Sequence, residues 1–224
     1  MTRNPTPARR RRNFRRRLAL AGLAAWLALA GGCSTTLWPK PPQEPALYAL
    51  GVAAPASPSA GAPRASAVSK TTLLVNPPRA AAGFETRHIV YLREPNRIEY
   101  FAYSQWVDTP AQMLAPLIVR AIERSGAFDA VLLAPSAAAG QWRLDTEVIR
   151  LQQDFGASPS QVRFTLRAVL LDSATRRVVA VRELDASVPA ATDDTAGGVA
   201  AANAAVQRVL GELAAFVANA VPAS

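Results

Sequence analysis

Alternating hydrophobic and polar positions dominate the chain after residue 70 and predict a β-rich domain. Apolar or alternating segments separated by Pro, Asn, Gly and Ser are typical of strands joined by turns. These segments cover residues 72–75, 88–91, 98–103, 128–133, 142–151, 161–172 and 177–188. In the segment 161–172, Val162 and Phe164 share one face and Arg163 lies on the other, which predicts a half-buried sheet.

Three further features concern how these strands connect. An apolar island at residues 47–50 predicts a short first strand, and Pro95-Asn96 predict a tight hairpin turn between two antiparallel strands. In the segment 142–151 the alternation changes phase at Ile149, which predicts a β-bulge. Short polar turns join the last three strands, so we expect these strands to form an antiparallel meander.

Helical spacing replaces the alternation in two places. Thr109 is a typical N-cap, a proline follows it, and Gln112 lies three residues on, as in a capping box, while Gly126 is a typical helix end. Apolar residues from 199 to 217 recur at helical spacing after Asp193-Asp194, whose charges favour a helix start. We expect an α+β fold, in which a mainly antiparallel sheet carries two principal helices packed on one face.

The first 32 residues form an Arg-rich segment followed by an apolar run at residues 18–30, which is typical of a secretory signal. Thirteen residues of helix reach about 20 Å, less than the roughly 30 Å of a bilayer core. The run ends in Gly31-Gly32-Cys33 and resembles a bacterial lipobox, although Ala30 stands where Leu is usual. We therefore expect a lipoprotein signal peptide over residues 1–32, cleavage between Gly32 and Cys33, and diacylglycerol plus an N-acyl chain on Cys33.

Composition and charge divide the remainder of the chain. Residues 33–45 are rich in Pro and predict a tether behind the lipidated Cys, residues 46–221 form the domain, and residues 51–70 predict a flexible loop within it. The leader holds eight of the 25 basic residues, so 17 basic and 16 acidic residues remain after it. A nearly neutral mature chain argues against a nucleic-acid partner. Ser34 rather than Asp follows the Cys, which favours the periplasmic face of the outer membrane.

The chain offers little for catalysis or metal binding. His88 is the only histidine, no other His or free Cys supports a zinc site, and no phosphate-binding loop is present. Asp145 and Glu147 lie on the polar face of a predicted strand. We interpret them as surface charge rather than as an acid/base pair. We therefore expect no catalytic residues, no metal and no cofactor beyond the lipid, and a hydrolase is disfavoured because no nucleophile has a base beside it.

Aromatic residues are concentrated in one predicted hairpin, from residue 91 to residue 106. Tyr100 and the next residue point to opposite faces of one strand, so part of this cluster belongs to the core and part is available to a partner. Tyr100, Tyr103 and Trp106 are the candidate partner interface. Burial of the whole cluster in the core is the competing interpretation.

The order of several short motifs resembles the ABC-type transport auxiliary lipoprotein family, which includes PqiC. The motifs are residues 105–114 (QWVDTPAQML), 125–128 (SGAF), 142–145 (WRLD), 154–155 (DF), 188–190 (VPA) and 193–194 (DD). The resemblance implies a non-catalytic outer-membrane subunit of an ABC system with a mammalian-cell-entry (MCE) domain protein, moving lipids between the inner and outer membranes. It also implies that the chain can self-associate. The alternative hypothesis is a periplasmic shuttle that holds an acyl chain between sheet and helices.

Overall fold

The computed structural model describes residues 43–51 and 71–221. The predicted signal peptide, Cys33, most of the tether and nearly all of the loop 51–70 lie outside these residues. The described strands are β1 (Ala46–Tyr48), β2 (Thr72–Val75), β3 (Arg79–Ala80), β4 (His88–Leu92), β5 (Ile98–Trp106), β6 (Ala130–Leu133), β7 (Trp142–Asp154), β8 (Gln161–Asp172) and β9 (Val178–Pro189). The helices are α1 (Pro110–Ser125) and α2 (Thr195–Ala220).

The long strand β7 is the centre of one sheet. One edge of β7 pairs with β8 along its whole length, and β8 pairs with β9, both antiparallel, which confirms the predicted meander. The other edge of β7 pairs in succession with β2, β3 and β4, all parallel to it. The sheet is therefore mostly antiparallel by paired residues, as predicted, but it carries parallel pairs that the sequence did not indicate.

Two arms of the sheet branch from this second edge. In one arm β2 pairs with β6 in parallel; in the other, β4 and β5 form the predicted antiparallel hairpin, and β1 pairs in parallel with the end of β5. The first strand begins and ends earlier than the expected residues 47–50. After it the chain is held against α2, because Gly51 N–H donates to Asn203 Oδ1 at 2.7 Å and Asn203 Nδ2 donates to the Ala49 carbonyl at 3.4 Å.

The ends of α1 follow the sequence signals closely. Thr109 Oγ1 accepts the Gln112 N–H at 3.4 Å, and Gly126 ends the helix in the left-handed region at φ 68°. The second half of the capping box is replaced, because the Thr109 N–H donates to Asp108 Oδ1 at 2.7 Å. Asp194 caps α2 by accepting the Gly197 N–H at 2.7 Å.

Both helices pack on the same face of the sheet, as predicted, and the core lies between them and the strands. The sheet contributes fully buried side chains that alternate along β7 and β8: Leu144, Val148, Phe164, Leu166 and Leu170. The helices contribute a matching stripe of buried residues: Leu114, Ile118, Ile122, Ala205, Val209, Leu213 and Val217. This spacing of three and four residues is the reason that each helix buries one side only.

Two register shifts alter the alternation of side chains. In β7 the pairing with β8 shifts between Val148 and Arg150, which confirms the predicted bulge. In the hairpin, Val90 pairs with Tyr100 but His88 pairs with Gln105, so β5 has extra residues between these two points. The second shift decides which aromatic side chains of β5 are buried.

Candidate interaction surface

His88 lies on the surface, where it contacts Thr86 and the neighbouring strand β5. Its Nδ1 atom is 2.7 Å from Thr86 Oγ1, and its ring centroid is 5.0 Å from that of Tyr100. A Ser-His-Asp arrangement needs a nucleophile on one ring nitrogen and a carboxylate on the other. Among residues 43–51 and 71–221, no group of three or more His, Cys, Asp and Glu side chains is placed to hold a metal ion.

Asp193 and Asp194, which stood out in the sequence, stabilise the corner where α2 begins. Asp193 Oδ1 accepts the Ser160 N–H at 2.9 Å, and Asp194 Oδ1 accepts the Gly197 N–H. Hydrogen bonds from Ser160 lower the pKa of Asp193, and the Gly197 N–H lowers the pKa of Asp194. Both carboxylates are therefore kept ionised to accept these bonds, which is a structural role.

Asp145, which was considered above with Glu147, and Glu99 of the aromatic hairpin also have structural contacts. Asp145 accepts a hydrogen bond from Asn76, and Glu99 accepts one from the Tyr91 hydroxyl at 2.9 Å while lying 3.6 Å from Arg97. The hydrogen bond to the Glu99 carboxylate raises the pKa of Tyr91.

The aromatic cluster of the hairpin divides between the two faces of the sheet. Tyr91 and Phe101 pack together on the helix side with ring centroids 4.6 Å apart, and Phe155 meets Tyr91 edge-on at 5.7 Å. Tyr100, on the other face, is 44% exposed, and Tyr103 is 58% exposed. The structure thus brings Tyr100 and Tyr103 to the surface, where a partner can reach them.

Trp106 is wrong as an interface residue, because its side chain is only 2% exposed and belongs to the core. Simple alternation places Trp106 on the same face as Tyr100. The register shift in β5 reverses that phase, so Trp106 points to the helix side. Its backbone is fixed by the Trp106 N–H, which donates to the Arg87 carbonyl at 2.8 Å, and by its own carbonyl, which accepts from Arg87 Nε at 3.2 Å.

Other apolar residues that the sequence analysis did not single out extend this surface. Leu47 on β1 is 56% exposed and pairs with Gln105 of β5, and Ile98 and Val107 at the two ends of β5 are also exposed. We call Leu47, Ile98, Tyr100, Tyr103 and Val107 the aromatic patch. Its signal in the sequence was weak because β1 and β5 are far apart in the chain and become neighbours only through parallel pairing.

The helices of the described residues are too short or too polar to span a bilayer. Neither α1 nor α2 is long and apolar enough to cross a membrane. Gly32 and Cys33, the predicted cleavage and lipid-attachment residues, lie outside the part of the chain that the structure describes, so their roles stay predictions.

Comparison with known proteins identifies relatives of the whole folded region. Residues 48–214 match the family described as the ABC-type transport auxiliary lipoprotein component. The crystal structure of protein XCC0632 from Xanthomonas campestris is 30% identical, with a TM-score of 0.63 over 67% of this chain and 85% of that one. An uncharacterised protein of known structure shares the fold at 12% identity, with a TM-score of 0.56 over 79% of this chain and 97% of that one.

No protein of curated function is significantly similar to the chain. The family match spans every element from the end of β1 into α2, and the 30% identical structure covers most of the same region. The chain therefore belongs to the family of ABC-type transport auxiliary lipoprotein components.

Proposed function

We propose that this chain is a non-catalytic lipoprotein subunit of an MCE-type ABC transport system that moves lipids between the inner and outer membranes. One observation carries the proposal: a lipobox-like Gly31-Gly32-Cys33 precedes a domain that matches an ABC transport auxiliary family over residues 48–214. In this proposal Cys33 carries the lipid anchor, the periplasmic face of the outer membrane is the location, and an MCE-domain protein is the partner.

The mechanism is positional. Twelve residues separate Cys33 from the start of β1, and twelve residues of extended chain reach at most about 40 Å. The anchor therefore confines the domain to a thin layer beside the membrane. A short flexible link raises the effective concentration for a second binding event to about the millimolar range, so a weak contact with a partner that crosses the periplasm becomes sufficient.

The aromatic patch supports a protein contact of this kind. Tyr100 and Tyr103 each have an apolar ring and a polar hydroxyl, and Tyr is enriched in the centres of protein interfaces. The patch lies on β5 and β1, the strand by which the tether enters the domain. Self-association through the same face is a second way to cover these side chains.

The experiment compares three forms of the full-length chain in membranes that contain the transporter. The native form should fractionate with the outer membrane and recover the MCE-domain protein in a pull-down. Cys33→Ser should leave the membrane fraction, and Tyr100→Ser with Tyr103→Ser should stay in the membrane but recover much less partner. Val178→Ser with Val181→Ser is the matched control, because these exposed valines lie on β9, away from β5.

Two results would contradict the proposal. Unchanged membrane fractionation of Cys33→Ser would exclude the anchor, and absence of any MCE-domain protein from the native pull-down would exclude the partner. If the tyrosine and valine variants lose the partner equally, the aromatic patch is not the surface that docks the partner.

The structure does not favour the alternative of a lipid shuttle with an acyl chain between sheet and helices. The cavity at that position has only about 10 Å³ of free space and is lined mainly by apolar residues, among them Ile89, Trp106, Leu151, Val162 and Val199. A cavity of about 10–15 Å³ holds one water molecule. An acyl chain would require β4 and α2 to move apart.

A further inference from the structure

A groove of about 920 Å³ runs between α1 and α2. Its floor consists of apolar side chains that the two helices bury against each other: Ala121, Val206, Leu210 and Ala214. The residues of α2 along it extend from Asn203 to Ala215, which is about 18 Å at 1.5 Å per residue. The groove is therefore long enough for about three turns of a third helix.

Gly211 leaves open space along one side of this groove because it has no side chain. It is exposed in the middle of α2, and a Cβ atom built on it would meet nothing within 4 Å. Glycine costs about 1 kcal/mol relative to alanine inside a helix, and no contact among residues 43–51 and 71–221 requires a glycine at this position. Ala215 is exposed one turn later. The open space above Gly211 allows the backbone of another segment to approach closely.

Two arginines line the opposite wall. Arg120 and Arg124 are exposed and lie four residues apart on α1, so their side chains project from the same side of the helix. The ion pairs among the described residues all involve Arg97, so neither Arg120 nor Arg124 has a carboxylate within 4 Å there. The groove thus combines an apolar floor with two cations one helical turn apart.

This chemistry selects the kind of occupant. An extended segment would need backbone hydrogen-bond partners, which the walls of two α-helices do not supply, whereas a helix satisfies its own backbone. Two carboxylates about one turn apart on the occupant would complement Arg120 and Arg124. Each of the two helices in the described part of the chain has a single acidic residue, Glu123 in α1 and Glu212 in α2, so neither of these helices in a second copy provides such a pair.

We propose that the groove between α1 and α2 docks an amphipathic helix of a different protein, with its apolar face on Leu210 and Gly211 and two carboxylates opposite Arg120 and Arg124. The identification of that protein as a transporter subunit rests on the proposed function, but the chemistry of the groove does not. The groove is separate from the aromatic patch, so the domain can hold one partner at two places.

The test places a photoreactive amino acid at Gln207 or at Ala215 in the full-length lipoprotein, in cells that express the complete transporter. Both residues line the groove, and Arg208, exposed on α2 outside it, is the matched control position. We expect adducts from positions 207 and 215 that map to a helical segment with two acidic residues three or four positions apart. Adducts only with lipid, with a second copy of this chain or with a segment lacking such acids would overturn the proposal, as would the absence of adducts.

Charge reversal provides the second arm. Arg120→Glu with Arg124→Glu should lower the adduct yield about tenfold or more, because it puts like charges face to face. Arg177→Glu with Arg208→Glu makes the same change of net charge at exposed positions outside the groove and should have no effect. Replacing the two acids of the mapped segment by Lys should restore the adduct with the reversed groove, and failure of this rescue would overturn the ion pairing.

Filling the groove is the third arm. Gly211→Leu adds a side chain into open space, so the domain should fold, but the adduct should be lost; an undiminished adduct would overturn the close approach. If the mapped segment fits this description but belongs to no transporter subunit, the groove inference stands and the proposed function fails. If the pull-down recovers the MCE-domain protein but no groove adduct forms, the proposed function stands and the groove inference fails.

Discussion

Truncation of Trp106 tests the burial of the residue that divides core from surface in β5. Trp106→Ala removes a side chain that is only 2% exposed from the main hydrophobic cluster. Substitution of a buried Trp by Ala costs about 3–5 kcal/mol, because apolar burial is lost and a cavity remains. Domains are stable by only about 5–15 kcal/mol, so the loss is a large fraction of the total.

The measurement is guanidinium unfolding of the mature chain, followed by far-ultraviolet circular dichroism so that the signal does not depend on tryptophan. We expect a lower midpoint for Trp106→Ala with an unchanged slope, which indicates a change in stability alone. Tyr103→Ala is the matched control three residues away. Its side chain is 58% exposed, and surface substitutions of this kind change stability by no more than about 0.5 kcal/mol.

Two outcomes would refute the assignment of faces in β5. A cost below about 1 kcal/mol for Trp106→Ala would mean that this side chain is not in the core, since the expected range begins near 3 kcal/mol. An equal cost for Tyr103→Ala would mean that the exposed position of Tyr103 is wrong. The first result would restore simple alternation along β5 and would return Trp106 to the candidate interface, whereas the second would remove Tyr103 from it.

Three further predictions concern the helices. Gly198→Ala should destabilise the domain by about 1–3 kcal/mol in chemical unfolding, because the added Cβ atom would overlap Gln153 Oε1. Gly211→Ala should instead stabilise the free domain by about 1 kcal/mol, since the Cβ atom meets nothing; destabilisation would show that the space above it is occupied. The Gly197 N–H holds the pKa of Asp194 below 3.8, so the charged form stabilises the fold above that pH and the contribution is lost as the pH falls through the folded pKa. In thermal unfolding, the melting temperature of Asp194→Ala should therefore be lower than that of the native form at pH 7, and the difference should shrink in acid. A difference that does not change with pH would contradict the capping role.

Local signals in the sequence predicted the local structure well. Thr109 and Gly126 mark the two ends of α1 because N-cap and left-handed C-cap positions each demand particular residues. The phase change at Ile149 predicted the bulge in β7 because side chains alternate strictly between the two faces of a strand. These inferences needed only neighbouring residues.

Pairing between distant strands was not predictable in the same way. Alternation indicates which face of a strand is buried but not which strand lies beside it, so the parallel pairs of β7 with β2, β3 and β4 were missed. Trp106 was misplaced for a related reason, because the extra residues in β5 become visible only through the pairing of Gln105 with His88. The aromatic patch could not be predicted without knowing that β1 lies beside β5, and the groove could not be predicted without knowing that α1 lies beside α2.

The way in which the chain enters the domain also determines how the domain responds to mechanical load. β1 runs parallel to the end of β5, and Asn203 holds the next residues through two hydrogen bonds. A pull on the chain upstream of Ala46 along the strand axis loads the β1–β5 hydrogen bonds together in shear rather than opening them one at a time. Tension transmitted from the N-terminal side is thus shared between the sheet and α2.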